Sequence, residues 1–183
     1  MVNEPDPASR ADRNAGAAFG SSVFFVLAPG VVAGLIPWSI TKWRVGDPYP
    51  WPIRVMGVAL LVTGAIVLVS AFVRFVTEGS GTPAPIAPTR RLVIGGLYRH
   101  VRNPMYVAVL ATIVGQALVL GRTSLLVYGA VVAVAFATFV HSYEEPTLLR
   151  TFGAQYEEYR RAVPTWWPRL RPWTPGEDGK PPS

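Results

Sequence analysis

The sequence predicts an all-α fold: a polytopic membrane helical bundle of about four transmembrane helices, followed by an amphipathic helix on the cytosolic surface. Half of the 183 residues are apolar. Charged residues avoid four segments close to the roughly 20 residues that a helix needs to cross a bilayer. These segments are continuously apolar, whereas a soluble domain would alternate its apolar residues with a period of 2.0 or 3.6. The predicted spans are residues 23–43, 53–73, 104–120 and 123–143.

The basic residues divide unequally between the two sides of a four-span topology. Thirteen of the 17 lie in the N-terminal tail, the loop between the second and third spans, or the C-terminal region. The other four are Lys42, Arg44, Arg54 and Arg122. By the positive-inside rule, both termini and the middle loop face the cytosol. The net charge of +6 therefore indicates topology and contact with anionic lipid rather than binding to nucleic acid.

The first two spans are predicted to have a packing role. Pro29 and Pro37 should kink the first span, which a bundle tolerates because neighbouring helices bond the freed backbone groups. Small residues let transmembrane helices approach closely. The glycines predicted to serve this purpose are Gly30, Gly34, Gly57 and Gly64.

The middle loop, "TEGSGTPAPIAPTRRLVIGGLYRHVRNP", is rich in proline and glycine and should be extended and bent. Its apolar centre is too short to span, so we expect a functional loop that lies against the bundle. Asn103 is a predicted N-cap and Pro104 the first residue of the third span. The short connection "LGRTS" makes the third and fourth spans an antiparallel hairpin.

The region after the fourth span holds the second concentration of polar residues. Glu144 and Glu145 lie where this span leaves the membrane, and Pro146 should end or kink it. Apolar residues then recur at helical spacing, which predicts the amphipathic surface helix. They are Leu148, Leu149, Phe152, Tyr156 and Tyr159. "PTWWPRLRPW" follows as a predicted interfacial anchor.

Four regions follow from these observations: a disordered cytosolic tail (1–17), the first two spans (18–76), a region with the loop, hairpin and catalytic C-terminal part (77–168), and a disordered end (169–183). The cytosolic face should enclose a pocket that binds a zwitterionic ligand beside lipid. Its predicted residues are Tyr98, Arg99, His100, Arg102, Tyr106, His141, Glu144 and Glu145. The chain has no cysteine and only two distant histidines, so neither a thiolate nucleophile nor a metal site is predicted.

Four motifs occur here in a fixed order: Gly-x-Tyr, Arg-(His/Asn)-Pro-x-Tyr, Glu-Glu and Phe-Gly-x-x-Tyr-x-x-Tyr. They lie in "GTPAPIAPTRRLVIGGLYRHVRNPMY" and "EEPTLLRTFGAQYEEYRRAVPTWWP". In this order they resemble the isoprenylcysteine carboxyl methyltransferase family and its bacterial relatives, which overlap with phospholipid methyltransferases. The resemblance covers roughly residues 79–168.

The resemblance implies methyl transfer from S-adenosyl-L-methionine to a membrane lipid or isoprenoid acceptor. The cofactor-binding residues it implies are Arg90, Arg91, Leu92, Val93, Tyr98, Asn103, Pro104, Met105, Tyr106 and Glu144. We also expect Arg91 or Arg99 to bind the methionine carboxylate and tyrosine faces to attract the sulfonium.

The chain departs from the family pattern at two positions. Asn103 stands where a histidine is usual, and Val140 stands where eukaryotic members have a substrate-contacting arginine. A carboxylate acceptor needs no general base, whereas an amine or hydroxyl acceptor needs a proton sink. His141 and Glu145 are the candidate catalytic residues for that role.

Two other functions stay open from the sequence. Membrane sterol reductases have a similar Arg-His-Pro-x-Tyr hairpin and use NADPH, although they carry many more spans. A non-enzymatic transport or assembly subunit is the second alternative, although no ionisable residue lies in the middle of a predicted span. Fifteen of the 17 basic residues are arginine, which favours a GC-rich bacterial genome and a bacterial cytoplasmic membrane.

Overall fold

The computed structural model describes residues 28–78 and 92–174, with the side chains of 72–78 excepted. Within these residues the chain forms helices and loops without a strand, which confirms the all-α prediction. The helices are α1 (Ala28–Thr41), α2 (Trp51–Glu78), α3 (Pro104–Leu120), α4 (Thr123–Phe152) and α5 (Ala154–Ala162). A 3₁₀ turn, Gly96–Arg99, precedes α3.

Two of these helices are long and apolar enough to cross a membrane. They contain the segments Trp51–Ala71 and Thr123–Phe152, and in an apolar stretch of 18 residues within each segment only 11% and 22% of the residues are buried. The core helix of a soluble protein would bury far more, and apolar surfaces of this extent mark contact with lipid or another partner. Exposed valines and an isoleucine run along both helices: Val55, Val58, Val62 and Ile66 on α2, and Val127, Val131 and Val134 on α4. α1 and α3 are apolar but shorter.

Helices α2 and α3 approach closely at glycines. A Cβ added to Gly57 would lie 3.0 Å from the carbonyl oxygen of Gly115, and one added to Gly64 would lie 2.7 Å from a side-chain oxygen of α3. Their predicted packing role is therefore confirmed. At Gly30 and Gly34 an added Cβ would meet no atom of the described residues within 4 Å, so a packing role there stays a prediction.

The irregularity predicted for the first span takes the form of a π-turn, Val31–Leu35, just before Pro37. The N–H of Ile36 donates to the carbonyl of Val31, five residues back. Proline has no N–H and its ring clashes with the carbonyl four residues earlier, here that of Ala33. The wider turn accommodates this ring and leaves two backbone carbonyls without helical donors.

Side chains from neighbouring helices bond both freed carbonyls. Nε2 of Gln116 in α3 donates to the carbonyl of Ala33 at 2.6 Å, and the hydroxyl of Tyr128 in α4 donates to that of Val32 at 2.8 Å. Gln116 and Tyr128 therefore have hydrogen-bond acceptors inside the apolar bundle, because Pro37 of another helix frees these two carbonyls.

A second π-turn, Val140–Glu144, precedes Pro146 in α4. The N–H of Glu145 donates to the carbonyl of Val140, and the helix continues to Phe152. Pro146 is expected either to end the helix or to kink it; in the structure it distorts α4 without ending it. The third predicted segment coincides with α3, and the fourth begins as predicted at Thr123 but continues as α4 to Phe152 instead of ending at residue 143. Gly121 lies between α3 and α4 in a left-handed conformation (φ 62°).

The surface helix expected after Pro146 is divided in two. Gly153, with φ 52°, separates the end of α4 from α5. Tyr156 and Tyr159 of α5 are 2% and 3% exposed, and they pack with Trp173 and with residues of the loop before α3.

Residues 164–174, which we call the strap, run back over the loop before α3. Three backbone hydrogen bonds hold them there: Arg102 N–H to Pro164 O (2.9 Å), Arg169 N–H to His100 O (2.9 Å) and Trp173 N–H to Arg99 O (3.0 Å). A disordered end was predicted from residue 169, whereas the structure describes the chain up to Thr174 and buries Trp173 to 3% exposure. Trp167 and Leu170, by contrast, are 82% and 98% exposed.

Candidate functional site

Arg102 joins four segments at the cytosolic end predicted for the bundle. Its Nη1 donates to Oε1 of Glu145 at 2.8 Å and to the hydroxyl of Tyr156 at 3.1 Å. Its Nη2 donates to the hydroxyl of Thr165 in the strap. The side chains of Arg102 and Glu145 are only 10% and 17% exposed, so the pair is largely desolvated and fixes the loop, α4, α5 and the strap relative to one another.

Glu144, the neighbouring acid, bonds to the start of α3. The hydroxyl of Tyr106 donates to its Oε2 at 3.1 Å, and the Tyr106 ring stacks on Phe136 with centroids 4.5 Å apart. In the described residues Oε1 of Glu144 has no hydrogen bond. One carboxylate oxygen is therefore fixed, while the other can accept a bond from a ligand.

The 3₁₀ turn places Tyr98 beneath α5. Its hydroxyl donates to Sδ of Met105 at 3.3 Å, and its carbonyl accepts from the hydroxyl of Tyr159 at 2.7 Å. Burial raises the pKa of Tyr159, so its hydroxyl keeps the proton that this bond requires. Burial also raises the pKa of Tyr156, although Arg102 opposes the shift.

Two clefts lie on either side of the ion pair. The first cleft, with about 80 Å³ of free space, is lined by Leu92, Val93, Tyr98, Arg102, Asn103, Val140, Glu144, Glu145, Leu148, Tyr156 and Tyr159. The second, with about 350 Å³, is lined by Arg102, Ala137, Val140, His141, Glu145, Arg160, Thr165 and Trp166. Both therefore share Arg102, Val140 and Glu145, so the two spaces are adjacent and the ion pair forms part of their common wall.

Several of the site residues predicted from the sequence line one or both clefts. Five of the cofactor-binding set line the first cleft: Leu92, Val93, Tyr98, Asn103 and Glu144. Of the catalytic pair, Glu145 lines both clefts and His141 the second.

Other predicted residues lie around the clefts or away from them. Met105 and Tyr106 contact lining residues through hydrogen bonds. Pro104 is buried at the start of α3. Arg90 and Arg91 lie outside the described residues.

Arg99 does not line the clefts. Its Nε donates to the carbonyl of Trp173 at 2.5 Å and its Nη2 to the hydroxyl of Thr174 at 2.6 Å. Asn103 occupies the predicted N-cap position, but its side chain makes no capping bond. The sequence places Arg102 in the predicted pocket without a partner and Tyr156 on the surface helix, and it predicts no role for Thr165. The sequence signal was a positive charge just before Asn-Pro and two acids at the end of α4, but only the fold shows that Arg102 pairs with Glu145.

A comparison with protein-family models matches residues 53–155 to the family described as phospholipid methyltransferase. This match covers α2, α3, α4 and the residues of both clefts up to the start of α5, and it confirms the resemblance read from the motifs.

A curated relative is the protein-S-isoprenylcysteine O-methyltransferase of Schizosaccharomyces pombe (strain 972 / ATCC 24843). This chain is 36% identical to it over 80 residues, which are 43% of this chain and 34% of the relative. The match thus spans about a third of the relative's length.

Proposed function

Because the chain belongs to the phospholipid methyltransferase family, we propose that it is a membrane enzyme that transfers a methyl group from S-adenosylmethionine to a lipid or isoprenoid acceptor. The observation that carries this proposal is the first cleft, which gathers five residues that the motifs assign to cofactor binding. The proposed topology has four spans, with the strap and both clefts on the cytosolic side of a bacterial cytoplasmic membrane.

The lining chemistry of the first cleft fits part of such a cofactor. Oε1 of Glu144 is available to accept a hydrogen bond from a ribose hydroxyl or an ammonium group. The Nε of Arg102 is buried and has no hydrogen-bond partner among the described residues. The free space of about 80 Å³ is below the roughly 300 Å³ of usual small-molecule sites. The described residues thus form only part of the site.

When bound, the cofactor supplies a methyl group on a sulfonium, and an acceptor oxygen or nitrogen forms its bond to this carbon as the carbon–sulfur bond breaks. The chain's contribution is positioning and exclusion of water. Tyr106 holds Glu144 by one oxygen, and Tyr159 holds the backbone of Tyr98. Both bonds orient side chains of the first cleft before a ligand binds.

The roles proposed for His141 and Glu145 depend on the acceptor. Oε1 of Glu145 already accepts a bond from Arg102, which opposes its use as a proton sink. His141 is exposed and lines the second cleft, so it is the better-placed base for an amine or hydroxyl. A carboxylate acceptor would need neither residue as a base, because no proton is released.

The two alternatives gain no specific support. The matched family is a methyltransferase family and the matched relative carries a methyltransferase name, whereas neither comparison points to a reductase or to a transport subunit. NADPH nevertheless serves as the parallel ligand in the test.

The test is calorimetric titration of the detergent-purified protein with S-adenosylhomocysteine and, separately, with NADPH. We expect saturable binding of the first ligand and none of the second. Glu144→Gln should weaken that binding, whereas Arg150→Gln, at an exposed residue of α4 outside both clefts, should leave it unchanged. Binding of NADPH instead, or equal binding by the wild type and Glu144→Gln, would contradict the proposal.

A further inference from the structure

The second cleft is larger than the first, and its lining includes polar residues, such as His141 and Arg160, to which the proposed cofactor binding gives no role. Its free space of about 350 Å³ lies within the roughly 300–1,000 Å³ of small-molecule sites. Four parts of the chain form it: the loop before α3, the end of α4, α5 and the strap. Since it shares a wall with the first cleft, a molecule bound there would lie beside the proposed cofactor.

The charges that line this cleft do not balance. Its lining contains two arginines, Arg102 and Arg160, and one acid, Glu145. Glu145 already bonds to Arg102 at 2.8 Å. Arg160 is therefore the lining charge that no other lining residue neutralises, and the cleft favours an anion over a cation.

Arg160 keeps donors for such an anion. Its Nη2 lies 3.0 Å from Oε2 of Glu157, and Oε1 of the same carboxylate lies 3.1 Å from Nε of Arg161. One carboxylate thus serves two guanidinium groups. Within the described residues Nε and Nη1 of Arg160 make no hydrogen bond, and a guanidinium has five N–H donors in a fork that fits a carboxylate or phosphate.

Most of the surface that lines the cleft is polar, which suits a headgroup, and its apolar part is small. Ala137 and Val140 contribute small aliphatic surfaces from α4, and Trp166 contributes an indole from the strap. The ring of Trp166 lies 6.5 Å from that of Tyr106, which bonds to Glu144 of the first cleft. An anionic headgroup bound at Arg160 would therefore lie in a cleft that adjoins the proposed cofactor site.

We propose that Arg160 is the specificity-determining residue of the acceptor site and binds the anionic headgroup of an amphiphilic acceptor in the second cleft. This inference rests on the proposed methyltransferase function. The headgroup chemistry is that of a carboxylate or a phosphate, and an amine-headed acceptor is disfavoured.

The experiment compares three probes that share one apolar chain: N-acetyl-S-farnesylcysteine with a carboxylate, its carboxamide without charge, and farnesyl phosphate. Binding to the purified full chain is measured by calorimetry in a neutral detergent. Arg160→Gln should weaken binding of the carboxylate, the phosphate or both about fivefold, which corresponds to about 1 kcal/mol, the upper value for a partly exposed ion pair. Arg160→Lys should recover part of this loss.

The matched control is Arg161→Gln. Arg161 shares Glu157 with Arg160 but is 78% exposed and does not line the cleft. We expect this variant to change probe binding less than twofold, and neither variant to change carboxamide or S-adenosylhomocysteine binding. The inference is overturned if Arg160→Gln leaves both anionic probes unaffected, if Arg161→Gln has the same effect, or if the wild type binds no anionic probe. Loss of the proposed function would appear separately, as absence of S-adenosylhomocysteine binding to the wild type.

Discussion

The ion pair between Arg102 and Glu145 gives the sharpest test of how the site is held together. Arg102→Met removes the guanidinium and leaves Glu145, which is 17% exposed, as a largely buried carboxylate without its cation. Removing one partner of a buried pair costs about 3–5 kcal/mol, because the remaining charge stays desolvated. At about 2–4 °C for each kcal/mol in a chain of this length, the expected fall in Tm is about 6–20 °C.

The assay is thermal unfolding of the detergent-purified protein, followed by tryptophan fluorescence. Arg160→Gln is the matched control, since its pair with Glu157 is 39% and 28% exposed and should contribute at most about 1 kcal/mol. A double variant, Arg102→Met with Glu145→Leu, should regain at least half of the lost Tm, because no unpaired charge remains. Equal shifts for Arg102→Met and Arg160→Gln, or no recovery in the double variant, would refute the reasoning.

The same unfolding assay tests two packing predictions. Gly115→Ala should lower stability by about 1–3 kcal/mol through overpacking, because an added Cβ would lie 2.8 Å from the carbonyl oxygen of Gly57. Gly34→Ala should not destabilise, because its Cβ would meet no atom of the described residues within 4 Å. Similar losses for both variants would contradict the close contact of α2 and α3. Trp173→Ala should cost about 3–5 kcal/mol, since the residue is 3% exposed, whereas Trp167→Ala, at a residue 82% exposed, should change stability by less than about 0.5 kcal/mol. The opposite order would mean that the strap does not pack on the loop as described.

The parts of the fold that could be predicted are those that each segment specifies by itself. The third predicted span, residues 104–120, coincides with α3, because a continuous apolar run begins at Asn-Pro and stops at a glycine. The family could be predicted for the same reason, since its motifs are short and keep their order along the chain.

The pairing of distant residues could not be predicted, because a charge pattern does not say which opposite charge it will meet. Arg102 bonds to residues 43, 54 and 63 positions away. Arg99 shows the opposite case, in which a residue next to a cleft residue in sequence does not itself line the cleft. It follows Tyr98 directly, but neighbouring residues of a 3₁₀ turn project about 120° apart, so Tyr98 lines the first cleft while Arg99 reaches the strap.

The sequence predicts that two prolines disturb their helices, but it does not predict the type of distortion. Pro37 and Pro146 each had to disturb a helix, and sequence alone does not distinguish a break from a π-turn. Tertiary contacts decide between them: at Pro37 the freed carbonyl of Ala33 finds a donor in Gln116, which makes a continued helix possible.

The strap has a consequence for the order in which the site is completed. Thr165 and Trp173 follow every motif residue in the chain, yet they bond to Arg102 and Arg99. During synthesis from the N-terminus, all residues of the four motifs are therefore present before the bond between Arg102 and Thr165 can form. A shortened chain ending at residue 163 would contain every motif and the partners of Nη1 of Arg102, but it would lack the strap's bonds to Arg102 and Arg99. Possession of the motifs alone therefore does not ensure an assembled site.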